Sequence, residues 1–308
     1  MTPASQAHDP PGASLADLRF SLAGPGRVGE SLAGWLVSRG ARLAAVAGRQ
    51  LPGRADEVAR RLGGRAVSLA ALGASGEDLL LLAVPDPALP AVAAALSGRR
   101  RAAVALHTAG SRSAEVLAPL AADGTAIGSL HPLKAFARVF ADPAEARGMV
   151  FGIDGDPEAL LLAARLAAAL GAEVAPVPAP ARRLYHFAAS LAAGGVVTVL
   201  AAADGIAREL GLPAAVGRGY LELARGALAE AAQAPVPAAA LTGPVARGDG
   251  ETVLAALAEL ARLDPGAHPA ALAVCRETLR QLARRAAPGP AQAALARSLT
   301  GLCARSVP

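Results

Sequence analysis

The stretch Gly24-Pro25-Gly26-Arg27-Val28-Gly29 constrains this chain more than any other. It follows a short apolar run, Leu18, Phe20, Leu22 and Ala23, that reads as a buried strand. It opens a segment in which Val28, Leu32, Trp35 and Leu36 recur at helical spacing, with Gly40 as the stop. A strand, then G-x-G-x-x-G, then a helix is the context in which the motif means dinucleotide binding. Gly24 permits the tight turn, Gly26 leaves room for a pyrophosphate, and Gly29 lets the helix pack closely on the strand. The helix N-terminus then offers free N–H groups and the positive end of its dipole to the phosphates. Pro25, Arg27 and Val28 complete the turn.

The second strand, Arg42 to Ala47, ends in Gly48-Arg49-Gln50. A site for NAD would place an acid near here to hold the ribose 2′-hydroxyl. The first acid is Asp56, whereas Arg49 offers a cation for a 2′-phosphate, so the cofactor expected is NADP.

Further strands are expected near Ala66–Leu69 and at Leu79–Val84, Ala102–Leu106, Thr125–Leu130, Val150–Ile153 and Glu173–Val177, alternating with helices. This is the pattern of an α/β domain with a doubly wound, mostly parallel sheet. Ligands of such sheets sit outside the C-terminal strand ends. Ala83, Val84, Pro85 and Asp86 are therefore expected beside the nicotinamide, with Thr108 opposite. Asp86 alone would also be explained as a helix cap. Two strands end in histidine, His107 and His131, so at least one is expected on the substrate side with Ser111. Lys134, the only lysine, follows His131.

Closely spaced prolines at Pro176 to Pro180 mark a domain boundary, which divides the chain into residues 1–16 (a tail), 17–178 and 179–308. Beyond it only helical patterns recur, at Arg182–Leu210, Ala214–Gln233, Glu251–Leu263, Ala270–Arg285 and Ala291–Ala304. The second domain is expected to be all-α. Its first helix carries His186, Ser190 and Gly194 on one face. Reduction of a carbonyl or imine needs a group that gives a proton or hydrogen bond to the developing charge. His186 is the best placed residue, with Ser190 its neighbour and Lys134 a second candidate. No Ser-His-Asp order, HExxH, Walker A or paired-carboxylate arrangement supports a hydrolase or kinase, and no metal site is expected.

Composition narrows the partners. At 308 residues, 53% hydrophobic and 18% charged, the chain is globular and long enough for two cores. The net charge is only +5, its arginines are scattered, and aromatics make up 3%, which argues against a nucleic-acid partner. Cys275 and Cys303 form no metal or redox pattern and are expected as buried free thiols. Phe187 to Ala203 is uncharged but short of the roughly 20 residues of a membrane span and interrupted by Gly194-Gly195, so it is read as a buried helix of a soluble, cytoplasmic protein with no membrane partner.

GPGRVG, AVPDPALP, LHTAGS, SLHPLKAF, the YHFAAS helix and LTGPVARGD together resemble bacterial proteins that join an N-terminal Rossmann-like domain to a C-terminal domain of unknown function 2520. These resemble in turn the 6-phosphogluconate dehydrogenase-like group, with the pyrroline-5-carboxylate and ketopantoate reductases. The resemblance implies NADP (NADPH) binding, reductase chemistry on a small molecule, and a homodimer formed through the C-terminal helices. It places Thr242, Arg247 and Asp249 in a loop that closes the site. Arg247 and Lys134 would suit a substrate carboxylate. Two positions depart from the pattern: Gly194 stands where an asparagine is usual, and Lys134 where an uncharged polar residue is commoner. The leading expectation is an NADPH-dependent reductase of a small carbonyl or imine. A ketopantoate reductase-like enzyme and a non-catalytic NADP-binding sensor are the alternatives.

Overall fold

The computed structural model describes residues 14–74 and 76–304. Eight strands form one sheet: β1 Arg19–Ala23, β2 Arg42–Ala47, β3 Arg65–Ala66, β4 Glu77–Leu82, β5 Ala102–His107, β6 Ala126–Pro132, β7 Val150–Gly155 and β8 Glu173–Pro176. Their order is β3-β2-β1-β4-β5-β6-β7-β8. The first six are parallel, in the doubly wound order, and their near-continuous apolar runs reflect burial on both faces. β7 runs antiparallel to β6, with Pro132 opposite Phe151 and Gly128 opposite Gly155. The 133–149 connection has no crossover helix beyond one 3₁₀ turn, Pro143–Ala146, so the chain returns alongside β6 instead of crossing over. β8 pairs parallel to β7.

The helices of this part are α1 Arg27–Ser38, α2 Arg54–Leu62, α3 Leu89–Leu96, α4 Ala118–Ala121, α5 Pro157–Ala169 and α6 Arg182–Ser190. Phe20, Leu22, Leu79 and Leu81 pack toward α1 and α5 on one face of the sheet, and Leu80, Leu82 and Ala105 toward α3 on the other. The alternation along β4 splits its leucines between the two cores. Residues 1–13 of the expected tail lie outside the described residues, but the tail assignment fails at Leu15. That side chain is fully buried in the first core, and its amide bonds to the Arg39 carbonyl.

Trp35, fully buried on α1, donates Nε1–H to the Ala141 carbonyl at 2.7 Å, and Ser31 Oγ accepts from the Ala141 amide at 3.1 Å. Phe136 stacks at a tilt on the Trp35 ring, centroids 5.6 Å apart. These contacts tie the 133–149 connection, and with it Lys134, to the first helix of the nucleotide motif.

The chain divides into two compact units after Leu191. The second contains α7 Val196–Glu209, α8 Ala214–Gln233, α9 Gly243–Arg247, α10 Gly250–Leu263, α11 His268–Ala283 and α12 Pro290–Ala304. Its core is a small cluster from α10, α11 and α12: Val253, Leu257, Leu272, Leu279, Leu295 and Leu299. Cys275, half-buried and free, packs against this cluster, and burial raises its thiol pKa. The Cys303 side chain lies outside the described residues.

The expectation of a buried helix over 187–203 is not met. The helical run Ala179–Glu209 is long and apolar enough to cross a membrane by length and composition, and its apolar window is not buried. Val197 is 65% exposed, and no residue of α8 is buried. Within the second unit α7 packs on α8, and both helices keep exposed apolar side chains. Between α6 and α7 the helix widens into a π turn, Leu191–Gly195. The expected single face of His186, Ser190 and Gly194 assumed uninterrupted α geometry, and this turn shifts Gly194 off it.

Candidate active site

The nucleotide motif sits between the end of β1 and the start of α1. Gly24 has φ +91°, and a Cβ there would stand 2.6 Å from the Ala83 carbonyl oxygen. A Cβ at Gly29 would lie 2.2 Å from the Gly24 oxygen and 3.0 Å from Ala83 Cβ. Conformation therefore demands glycine at the first position and close packing demands it at the third. A Cβ at Gly26 would meet nothing within 4 Å, so open space faces the amides of the first turn of α1. This cradle fits a pyrophosphate. Pro25, Arg27 and Val28 follow the turn, and Val28 also reaches the pocket described below.

A groove of ≈ 1010 Å³ runs from the cradle along the ends of β1, β2 and β4. Arg49 lines it with Gln50, Arg54 and Ser68, and no carboxylate is among its lining residues. Asp56, the first acid after β2, accepts the Gly53 amide at 2.7 Å and caps α2 instead. Arg54 pairs with the fully buried Glu30 carboxylate and, at 2.9 Å, with Glu57. The Glu30 hydrogen bond is the main cause that raises the Arg54 pKa. The residues present suit a 2′-phosphate better than a free 2′-hydroxyl.

Ala83, Val84 and Pro85 border both this groove and a second pocket of ≈ 290 Å³. Asp86, Thr108, Gly110, His131, Lys134 and His186 line the second pocket. The two imidazoles meet edge to face with centroids 5.4 Å apart. A Cβ at Gly110 would stand 2.3 Å from Nδ1 of His186 and 2.6 Å from Nε2 of His131. Both nitrogens thus point into the space that the missing side chain leaves. Nδ1 of His186 is buried there without a hydrogen-bond partner.

Tyr185 partners His131: its hydroxyl and Nδ1 of the imidazole share a hydrogen bond at 2.9 Å, whose direction follows the ring tautomer. Where the phenol donates, the proton of the neutral ring sits on Nε2, facing the pocket. Burial, the neighbouring His186 and then Arg182 push the His131 pKa down to about 4, so the ring is neutral at pH 7. Burial also raises the Tyr185 pKa. Behind them Arg182, only 1% exposed, donates to Asp154 at 2.5 Å and to Ser129.

Other expected site residues fall elsewhere. His107 does not reach the pocket. It is fully buried, Nδ1 accepts from the Ala109 amide at 3.2 Å, and Nε2 donates to the Ser113 carbonyl at 3.1 Å. The 109–113 turn folds over the ring, and burial lowers its pKa to about 4. His107 staples the loop that carries Gly110. Ser111 spends its hydroxyl on Asp86 at 2.6 Å, and Asp86 makes no cap bond. Ser190, exposed, donates to the His186 carbonyl at 3.0 Å, the ordinary back-bond of a helical serine. The Lys134 ammonium lines the pocket but is paired with Glu145 at 2.9 Å. Thr242 precedes α9 without a side-chain cap bond, Arg247 ends it, and Asp249 caps α10 by accepting the Thr252 amide at 3.2 Å. All three belong to the second unit.

Sequence reasoning missed Gly110, Tyr185, Arg182 and Arg54. Tyr185 stood next to His186 and could have been flagged. Gly110 carried no signal, because its role comes from a contact with a helix that starts some seventy residues later.

A Rossmann-like domain model matches residues 5–132, and a model for domain of unknown function DUF2520 matches residues 149–270. No protein of curated function matches by sequence. Among solved structures, the chain is similar to a Bacteroides fragilis protein provisionally described as an NADP oxidoreductase, at 23% identity, over 86% of this chain and 99% of that one, with a TM-score of 0.70. It is similar to a 1-pyrroline-5-carboxylate reductase of Streptococcus pyogenes, at 18% identity over 85% and 96% with a TM-score of 0.57. It is also similar to a reductive aminase of Aspergillus terreus in complex with NADPH and ethyl-5-oxohexanoate, at 16% identity over 94% of both chains with a TM-score of 0.59. At these identities the likeness establishes the fold. The two domain models match in order along the chain, a Rossmann-like domain followed by a DUF2520 domain.

Proposed function

We propose that this protein is an NADPH-dependent reductase of a small carbonyl or imine compound, acting as a homodimer. One observation carries the reading. Ala83, Val84 and Pro85 form a shared wall between the nucleotide groove and a pocket into which two histidine nitrogens converge. Reductases among the similar folds, one holding NADPH beside an oxo ester, support it.

NADPH, when bound, supplies the hydride. The chain supplies the rest. The glycine cradle and α1 N-terminus hold the phosphates, and Arg49 holds the 2′-phosphate. Neutral His131 donates Nε2–H to the substrate oxygen or nitrogen on which charge develops. His186, through Nδ1, gives the proton that completes the product.

Oxidation of NADPH by a panel of 2-oxo acids, simple ketones and cyclic imines tests the reading, with wild type and His186→Ala side by side. Turnover of at least one class, lost in the variant while NADPH still binds, supports it. No turnover with any class despite tight NADPH binding would favour the sensor reading, to which the open space at Gly194 lends weight.

A further inference from the structure

A third concavity, of ≈ 660 Å³, opens between the loop after β5 and the start of α6. Ser111, Arg112 and Ser113 border it on one side, and Ala179, Pro180 and Arg183 on the other. We propose that Arg112 and Arg183 make it an anion subsite that receives a terminal acid group of the substrate. The term substrate rests on the reductase reading; the anion site itself rests on these residues alone.

Charge comes first. Neither arginine is ion-paired among the described residues, and both are exposed. Lys134, the cation expected from sequence to meet a substrate carboxylate, is neutralised by Glu145. The nearby acids are turned to hydroxyls: Asp86 accepts from Ser111 at 2.6 Å, and Glu115 lies 3.5 Å from the Ser113 hydroxyl. Among the described residues no carboxylate borders the concavity. Two guanidinium forks from separate chain segments suit the planar or tetrahedral oxygens of a carboxylate or phosphate.

Position is the second argument. Two separate chain segments join this concavity to the histidine pocket. Gly110 lines the one and Ser111 the other. On α6, Arg183 precedes His186 by three residues, a spacing that puts side chains about 5–6 Å apart on one helix face. An acid group held by the arginines would therefore sit roughly one helical turn from the reacting carbon. That distance fits a terminal carboxylate or a phosphate ester, not a carboxylate attached to the reacting carbon.

The test titrates the full-length protein, with and without NADP+, against inorganic phosphate and, separately, glutarate. Ionic strength is held constant with chloride, and binding is followed by calorimetry. Wild type is compared with Arg112→Gln, Arg183→Gln and the double variant. The expected result is that at least one anion binds wild type and is weakened about tenfold or more in the double variant, with NADPH affinity unchanged. The tighter anion identifies the acid as phosphate or carboxylate. Binding of neither anion to wild type, or equal binding to wild type and double variant, overturns the proposal. If NADPH fails to bind while anion binding still depends on both arginines, the subsite stands and the reductase reading falls.

Discussion

Gly110 is glycine because of His186: a Cβ at that position would stand 2.3 Å from the imidazole Nδ1. Backbone conformation is not the reason, since Gly110 is absent from the glycines with positive φ. Gly110→Ala is expected to push one or both histidines out of the pocket, at a cost of about 1–3 kcal/mol in stability. NADPH affinity should stay near the wild-type value, because the groove lies on the other side of the Ala83–Pro85 wall. Denaturant unfolding and an NADPH titration check the two halves. A fully stable variant with unchanged histidine NMR signals would contradict the geometry.

The hydrogen bond between Tyr185 and His131 sets which ring nitrogen carries the proton. Tyr185→Phe removes the phenol and leaves Nδ1 of His131 free to take it. Nitrogen-15 spectra of the histidine side chains should show mostly Nε2–H in wild type at pH 7 and a mixed population in the variant. Wild-type spectra dominated by Nδ1–H would end the role given to Tyr185. Once a substrate is in hand, kcat should fall more than KM rises, because the bond acts on the developing charge.

Much of this molecule was legible in its sequence. The glycine motif, the apolar runs of β1, β4 and β5, and the helices from 196 onward follow from local pattern, and local pattern is what sequence displays. The place of Arg49 on the groove was also legible, because it follows β2 directly. The roles of His107 and Lys134 were not. A histidine at a strand end looks the same whether its loop folds over it or leaves it open, and Lys134 is silenced by Glu145 on a 3₁₀ turn that no periodicity marks. The reversal of β7 depended on a missing crossover helix. The exposure of α7 and α8 depended on what packs against them, which composition does not record.

One buried histidine and one half-buried histidine make stability depend on acid. The pKa of His107 is lowered from 6.5 to about 4, and that of His131 likewise, in each case first by burial. Between those values the unfolded chain takes up protons that the folded one refuses. The stabilisation from each is complete above about pH 6.5 and is lost as pH falls toward 4. For the fully buried His107 the linkage amounts to roughly 3 kcal/mol. Urea midpoints measured from pH 7.5 down to 4.5 should fall steadily, and His107→Gln should flatten part of that slope while lowering stability at pH 7.5. A wild-type midpoint independent of pH across this range would contradict the assignment.

Among the described residues Arg49 is the free cation of the groove, since Arg54 is tied to Glu30 and Glu57. Arg49→Ala is expected to weaken NADPH binding about tenfold or more and leave NADH binding unchanged. Fluorescence titration of both nucleotides reads this directly. Equal loss for the two would mean that Arg49 shapes the groove without contacting a 2′-phosphate. No loss for either would move that contact to Arg54, with Glu30→Gln as the next variant.

The second unit predicts its own partner. Val197 and Val199 on α7 and Leu221, Leu223 and Leu228 on α8 are all about half exposed or more, with Leu223 at 72%. Exposed apolar side chains in this number on one helical pair are what self-association covers. Burying a leucine or valine contributes about 1.5–3 kcal/mol, and placing a carboxylate there instead costs more. Val197→Asp with Leu223→Asp should therefore convert a dimer to a monomer in size-exclusion chromatography with light scattering, while the second unit keeps its helical circular dichroism. Both side chains are exposed and neither belongs to the Val253–Leu299 core cluster, so the fold should survive the change. A wild-type protein that runs as a monomer at micromolar concentration would remove the homodimer, and the apolar helix 179–209 would then need another cover, with binding to lipid vesicles the first to examine.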